Sequence, residues 1–466
     1  MSNTTPAAER FHLRISAGAW VVVAGFCLSR LVATLAGVRL AAEPLQVFWQ
    51  VIDPVLLKGD LLRSLWYLHS QPPLFNLFLG VVWKLTGAFH LIAFKSIYLV
   101  VGLFIALALY RLARDLGAGQ ILAAATALIF SVSPGAICYE NLLFYTHLEV
   151  ALLLGSALSL KRFLDTRHWF WGISFFLTLA KLTWLHSIFH LVWLIAAAAA
   201  LLLLWPKGRR TMLIALAVPL LLVVGLYAKN LALYGQFGVS SWFGLSLGKV
   251  TTFGVDEQER KALIDQGVLS PLTLLPPYTR LDYFPPELRE HEPTGVPLLD
   301  ARAKSNSTIN FHNIAYIDIS RLYRDDALRM MRLRPRRYLH NVGLAWLYYL
   351  QPTSSLEANK DNRRRIAGYD RLYDTAIVWH GAAVVFLWTL ALIWALATAV
   401  RQLRAPDGDR TRAIVLLFLA GNIAYLALVG NTFECGENFR FRFLAEPYAW
   451  TLIALTGQWY VRRRKG

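Results

Sequence analysis

Long apolar runs recur along this chain, and they restrict its possible folds more than any other feature of the sequence. A helix that crosses a lipid bilayer needs about 20 mostly apolar residues. Runs near or above this length cover residues 15–37, 119–135, 141–163, 168–182, 184–205, 211–234, 373–400, 413–431 and 446–461. Only 16% of the residues are charged, whereas an average soluble domain has about 25%. The sequence therefore predicts an all-α polytopic membrane protein.

Basic residues are concentrated in short segments between these runs, and they predict the orientation of the chain. The clusters are Arg111 with Arg114, Lys161 with Arg162, residues 207–210, Arg401 with Arg404, and residues 462–465. Such clusters remain on the cytoplasmic side of a membrane. The excess of 47 Lys and Arg over 29 Asp and Glu therefore requires no nucleic-acid partner. Both chain ends are then cytoplasmic, and the number of crossings is even.

Two segments do not fit a simple series of spans. Residues 73–112 are long enough for two helices, although an even number of crossings allows only one net crossing there. The apolar piece 338–350 is too short to cross comfortably, and we expect it to form an interfacial helix. The sequence thus predicts roughly ten to eleven transmembrane helices. Either part of 73–112 is re-entrant or interfacial, or the loop with Arg111 and Arg114 is an exception to the charge rule.

This orientation divides the chain into three parts with four polar stretches on the outer side. An N-terminal transmembrane module, residues 1–234, contains the first outer loop at 38–72. An outer region follows at 235–372, and C-terminal transmembrane helices occupy 373–466. The remaining outer stretches are 133–141 and 431–445. Irregular backbone near a membrane must be covered by protein or line a wet cavity, so these loops predict an outer-face cavity, without a separate soluble domain.

The first outer loop carries residue types that serve acid–base chemistry. Asp53 and Asp60 are followed within the loop by His69 and Gln71, which we expect to position a substrate. A carboxylate there can act as a general base or bind a metal ion. Asp53 also precedes Pro54, a pair typical of a helix start. Both interpretations stay open, because a cap uses only one carboxylate oxygen.

Three further ionisable residues lie where a span begins or ends. Glu140 lies at the turn between two runs, and Lys181 and His186 flank the next outer turn. Ionisable groups at such depth are costly and often functional, so Lys181 and His186 are candidates for binding a donor phosphate. The alternative is that long side chains reach up to the membrane interface.

The last outer turn alternates charged and aromatic residues. Arg440 and Arg442 can bind a phosphate through paired hydrogen bonds, with Glu437 beside them. The alternative is that both arginines pair with Glu434 and Glu437. Cys138 and Cys435 could also meet on this side as a disulfide.

These features together resemble the GT-C superfamily of membrane glycosyltransferases. The pattern is most similar to bacterial relatives of the protein O-mannosyltransferases and to the lipid A aminoarabinose transferase. The matching pieces are Asp53 and Asp60, the segment His-Ser-Gln-Pro-Pro-Leu-Phe at 69–75, the turn 133–140, and Glu-Asn-Phe-Arg-Phe-Arg at 437–442. They cover about a fifth of the chain.

The resemblance implies transfer of a sugar from a polyprenyl-phosphate donor to an acceptor, usually with inversion. It implies Asp53 as general base, Glu140 as the acid of the second loop, and Arg440 and Arg442 as phosphate contacts. The adjacent Asp-Glu pair of many members is missing here, so the base stays open between Asp53 and Asp60. Without the large C-terminal domain of some members, acceptor contacts are expected from 235–372.

The remaining expectations concern partners and location. No cofactor is required, although a divalent cation, Mg²⁺ or Mn²⁺, could bind between Asp53 and Glu140. The expected partners are a polyprenyl-phosphate-linked sugar, an acceptor that is a lipid, a glycan or a protein, and membrane lipids, with no nucleic acid. The expected location is the bacterial inner membrane, with the site facing the periplasm. The alternatives are a transporter or flippase of lipid-linked sugars and a transferase similar to the O-antigen ligases.

Overall fold

The structure, a computed structural model, describes residues 16–252 and 255–465, and their regular structure is helical. Besides helices, these residues form only two isolated β-bridges, Ala41 with Leu142 and Ala303 with Ile309. The predicted all-α class is confirmed. Ile15, where the first run was expected to begin, lies outside the described residues.

The α-helices are numbered in the order in which they occur along the chain. The first half contains α1 (Ala17–Leu35), α2 (Pro44–Val47), α3 (Pro54–Gly59), α4 (Leu61–Tyr67), α5 (Leu74–Thr86), α6 (His90–Asp115), α7 (Gln120–Ser131), α8 (Pro134–Glu140), α9 (Thr146–Thr166), α10 (Trp169–Leu185), α11 (Leu191–Leu204) and α12 (Arg209–Tyr234). The second half contains α13 (Phe243–Thr251), α14 (Glu257–Asp265), α15 (Pro286–Arg289), α16 (Pro297–Asp300), α17 (Ala315–Leu333), α18 (Pro335–Leu350), α19 (Lys360–Arg365), α20 (Ala367–Tyr373), α21 (Ala382–Arg404), α22 (Arg410–Phe433) and α23 (Asn438–Lys465).

The chain is a multi-pass membrane protein. Five helical segments of the described residues are long and apolar enough to cross a bilayer, and α7 with α8 would make a sixth if this bent pair is one span. Residues 74–115 count as one of the five. Within them α5 has 13 residues and is about 20 Å long, whereas the hydrocarbon core is about 30 Å thick. α5 packs against α3 and α4 of the first outer loop and also against α6 and α10, so α6, with 26 residues, is the longer candidate for the crossing. The total number of crossings stays a prediction.

The basic clusters lie at one end of the bundle. Arg111 of α6 and Arg162 of α9 line the same small pocket. Gln458 near the end of α23 bonds to the carbonyl of Gly117 and the amide of Gly119, at 2.7 Å each. The side of the membrane that this end faces stays a prediction.

The outer region has a small apolar cluster of its own, which differs from the expectation from sequence. α13 packs on α17 so closely that a Cβ on Gly244 would lie 1.7 Å from the Ser320 carbonyl oxygen. Trp242, Phe311 and Tyr316 are buried in this cluster, apart from the main core. Its members are dispersed over about 80 residues among Pro and charged residues, so no apolar run in the sequence indicates this cluster.

Two further sets of contacts hold the first outer loop and the outer region against the helical bundle. Lys229, near the end of α12, donates to the carbonyls of Trp66 and Leu68 at 2.9 Å each, where α4 ends. The apolar piece 338–350 lies within α18, which packs against α22 and α23.

Candidate functional site

A cavity of about 710 Å³ runs between α11 and α22 to their outer ends. Val192, which lines it on α11, is 67% exposed, so the cavity reaches the apolar surface of the bundle. Its walls are apolar and include Trp193, Leu201, Leu417 and Phe418. Its outer end is polar and is lined by His186, Ser246, Glu434 and Arg440. An apolar groove with one charged end suits a ligand that has an apolar chain and an ionic head.

Arg440 closes the polar end of this cavity. It lies in the first turn of α23, where a cation does not favour the helix, and its side chain is only 8% exposed. The guanidinium is 5.3 Å from the ring of Phe144 and 5.7 Å from that of Tyr145. Its Nη1 is 3.6 Å from the half-exposed carboxylate of Glu437. The buried Nε has no hydrogen-bond partner among the described residues, so a donor is left for an anionic group.

His186 lies beside Arg440 and is held by a buried carboxylate. The residue caps the C-terminal end of α10 and lines the cavity. Its Nδ1 is 2.6 Å from Oε1 of Glu149, which lies in the first turn of α9 and is fully buried. The ring of Tyr145 packs against the imidazole at 4.8 Å. In the tautomer with the proton on Nδ1, this nitrogen donates to the carboxylate and Nε2 carries the ring's lone pair.

The outer region covers the polar end of the cavity. Ser246 of α13 shares a hydrogen bond of 2.8 Å with the hydroxyl of Tyr278. Trp49 from the first outer loop stacks on Tyr278 at 4.9 Å. Lys249 pairs with Glu434 at 2.9 Å. The first outer loop and the outer region are thus both within reach of a head group bound there.

The structure places Asp53 and Asp60 outside the residues that line this cavity. Asp53 caps α3 by accepting from the amide of Val55 at 2.9 Å. It also accepts from the amide and hydroxyl of Ser305, at 2.5 and 2.7 Å. Burial lowers the pKa of the adjacent Lys304 to about 8, an effect that the charge of Asp53 opposes. Asp60 lies half-buried between α3 and α4 and makes no side-chain capping bond.

The predicted His-Ser-Gln-Pro-Pro segment is fastened to the outer region by two histidines. His69 contacts Ser241 at 2.7 Å and the carbonyl of His312 at 2.9 Å. The His312 ring contacts Ser70 at 2.5 Å and the carbonyl of Val51 at 3.2 Å. Burial lowers the pKa of His69 to about 4 and that of His312 to about 3. Both rings are therefore neutral at ordinary pH.

Gln71, Lys181 and Arg442 are also outside the cavity lining. Gln71 is buried beside the histidine pair, while Lys181 is exposed on α10. Arg442 is fully buried and donates to the carbonyls of Tyr349 and Leu350 at 3.1 and 2.9 Å. It thereby satisfies the C-terminal end of α18, a common use of arginine.

Glu140 is engaged by an arginine from the first helix. Nε and Nη2 of Arg30 donate to both of its oxygens at 2.7–3.1 Å, and Glu140 is fully buried. Asp53 and Glu140 therefore have different partners, and the described residues contain no group of three metal-binding side chains. The three cysteines are unpaired, with Cys138 buried and Cys435 partly buried, so the disulfide considered from sequence is absent.

Of the residues singled out from sequence, the structure brings His186, Arg440 and Glu437 together. It adds Glu149, Tyr145 and Ser246, which were not predicted. Glu149 had a signal, since it is an acidic residue inside an apolar run. Ser246 and Tyr145 had none, because only the fold brings them to the cavity.

Two solved structures are similar to this chain. One is ArnT from Cupriavidus metallidurans bound to undecaprenyl phosphate, with a TM-score of 0.34, and the other is ArnT from the same organism in the apo state, at 0.32. Each shares 14% sequence identity and covers 93% of this chain and 78% of the ArnT chain. ArnT is the lipid A aminoarabinose transferase, one of the enzymes that the sequence pattern resembles. No family model and no curated protein matches the chain.

Proposed function

We propose that the chain is an integral membrane glycosyltransferase that moves a sugar from a polyprenyl-phosphate-linked donor to an acceptor. The observation that carries the proposal is the apolar cavity between α11 and α22 whose polar end holds Arg440 with a buried, unused donor. In the bacterial inner membrane, the outer end of the bundle would face the periplasm.

The cavity matches the two chemical parts of such a donor. An isoprenoid chain can enter from the membrane past Val192 and lie along Trp193 and Phe418. The phosphate would then reach Arg440, with the sugar directed toward Ser246 and the cover of the outer region. Because a lipid phosphate is a good leaving group, the protein needs mainly to position the acceptor, remove its proton and stabilise the departing charge.

A glycine in the groove allows a direct test of the lipid site. Gly421 lines the cavity, and a Cβ added there meets nothing within 4 Å. Gly421→Leu would therefore place an apolar side chain at the groove with no clash at its Cβ. Gly457→Leu is the matched control, because Gly457 is also helical, is equally open and does not line the cavity.

The first assay measures binding of undecaprenyl phosphate, the ligand of the ArnT structure, to the detergent-purified protein. We expect Gly421→Leu to weaken binding at least tenfold and Gly457→Leu to leave it unchanged. Equal binding by Gly421→Leu and the wild type would place the lipid elsewhere and reject the proposed site.

The second assay measures transfer. Undecaprenyl-phosphoryl sugars with a labelled sugar are supplied in liposomes with a cell-envelope fraction as acceptor source, and the label leaving the donor lipid is quantified. A transferase gives labelled product and free undecaprenyl phosphate. Binding without loss of label from the donor would favour the transporter alternative.

A further inference from the structure

Phosphate binding at Arg440 leaves one feature of the cavity unexplained, the buried pair of His186 and Glu149. Oε1 of Glu149 is 2.6 Å from Nδ1 of His186. Its Oε2 is buried and has no hydrogen-bond partner among the described residues. Burial of a carboxylate is costly unless the charge is used or paired. We propose that His186 is the general base of the transfer reaction and that Glu149 positions it. This inference rests on the proposed function.

The pair has the orientation that a general base requires. Donation from Nδ1 to the carboxylate fixes the tautomer and leaves Nε2 with its lone pair in the cavity that His186 lines. The carboxylate also stabilises the imidazolium that forms when the ring takes a proton, as in other histidine–carboxylate pairs. The ring of Tyr145, tilted by 46° with its centroid at 4.8 Å, packs against the imidazole.

The other carboxylates near the cavity are already engaged. Glu434 pairs with Lys249 at 2.9 Å, and Glu437 lies 3.6 Å from Arg440. In the first outer loop, Asp53 accepts three hydrogen bonds and does not line the cavity. His186 therefore combines access to the cavity with an available proton acceptor.

The step is a displacement at the anomeric carbon of the donor sugar. The acceptor hydroxyl oxygen forms the new bond to that carbon, while its proton moves to Nε2 of His186. The bond from the carbon to the phosphate oxygen breaks, and its electron pair leaves with undecaprenyl phosphate beside Arg440. The imidazolium returns its proton to water, and no oxidant or reductant is involved.

The pH dependence of this step is shaped by the groups that face His186. Glu149 contacts it directly from α9, Tyr145 precedes that helix, and Arg440 and Glu437 belong to the start of α23 and its approach. Glu434 lines the same cavity from the end of α22. Because the base must be neutral, we expect turnover to fall on the acid side.

The test separates transfer from donor binding. In His186→Gln, we expect turnover of the labelled undecaprenyl-phosphoryl sugar to fall about 100-fold or more, as for loss of a general base. Binding of undecaprenyl phosphate should change less than threefold, and the acid limb of the pH–rate profile should disappear. In Glu149→Gln, turnover should fall and the acid limb should move to lower pH, because the imidazolium loses its carboxylate.

The chain contains a matched control pair. His380 likewise places its Nδ1 beside a carboxylate, 2.7 Å from Oδ2 of Asp374, but it is exposed and lies away from the cavity. His380→Gln should leave turnover and its pH profile unchanged. If His186→Gln does not fold, Glu149→Gln carries the test through the shift of the acid limb.

The outcomes distinguish the two proposals. Failure of the wild type to bind undecaprenyl phosphate, or to release sugar from it, rejects the proposed function itself. A functional wild type with equal loss of binding and turnover in His186→Gln would make His186 a phosphate ligand and overturn the inference. Normal turnover in His186→Gln with loss in Asp53→Asn would also overturn it and return the base to the first outer loop.

Discussion

The ion pair between Arg30 and Glu140 gives the sharpest prediction about a residue that sequence placed in catalysis. Three contacts of 2.7–3.1 Å join the two side chains, and Glu140 has no exposed surface. Glu140→Gln leaves the guanidinium buried without its counter-charge, which typically costs about 3–5 kcal/mol. We expect the free energy of unfolding in mixed detergent micelles to fall by about this amount.

A double variant separates this structural role from chemistry. Replacing a buried pair by apolar residues of similar volume is often neutral or stabilising, so Arg30→Met with Glu140→Leu should recover most of the lost stability. Both undecaprenyl phosphate binding and sugar transfer should then persist. A double variant that is stable and binds the lipid but transfers no sugar would refute the structural role and restore Glu140 as the acid predicted from the resemblance.

Two further predictions concern stability. Arg442→Ala removes the donors that satisfy the carbonyls of Tyr349 and Leu350. Thermal unfolding should therefore show a free energy of unfolding lower by about 2–4 kcal/mol, with unchanged lipid affinity of the folded fraction. A tenfold loss of lipid affinity at normal stability would instead make this arginine a phosphate ligand. Burial lowers the pKa of His312 to about 3. Below about pH 6.5 the folded protein therefore binds fewer protons than the unfolded chain. Its free energy of unfolding should fall as the pH decreases, by up to about 2 kcal/mol between pH 6 and 4.5. The unfolding midpoint of His312→Asn should depend less on pH than that of the wild type, and equal slopes would contradict the assignment.

Helix positions were largely predictable, because apolar length is a property of the local sequence. The run at 211–234 corresponds to α12, and 413–431 lies within α22. A clear error is at the last helix, which begins at Asn438 rather than near residue 446. Hydropathy excludes its first turns, since Arg440 and Arg442 are charged. The fold gives Arg442 two carbonyl partners and places Arg440 beside Glu437 at the cavity.

The site was only partly predictable, because its residues come from distant parts of the chain. His186 and Arg440 were both singled out, yet about 250 residues separate them and nothing local indicates that they share a cavity. The contribution of Ser246 depends on the close contact of Gly244 with Ser320, which has no local signature. Whether two distant residues share a cavity depends on how the helices pack and not on any sequence motif.

The two buried glutamates show why a charged residue in a predicted span does not by itself identify a catalytic group. Glu140 and Glu149 follow one another within ten residues, and both are fully buried. Arg30 occupies both oxygens of Glu140, so this carboxylate has no acceptor capacity directed at a substrate. Glu149 keeps one oxygen unpartnered within the described part of the chain, and its other oxygen orients a histidine that lines a cavity. The desolvation cost is offset by a permanent counter-charge in the first case. In the second case the partner is a histidine, whose charged form is the imidazolium that proton abstraction creates.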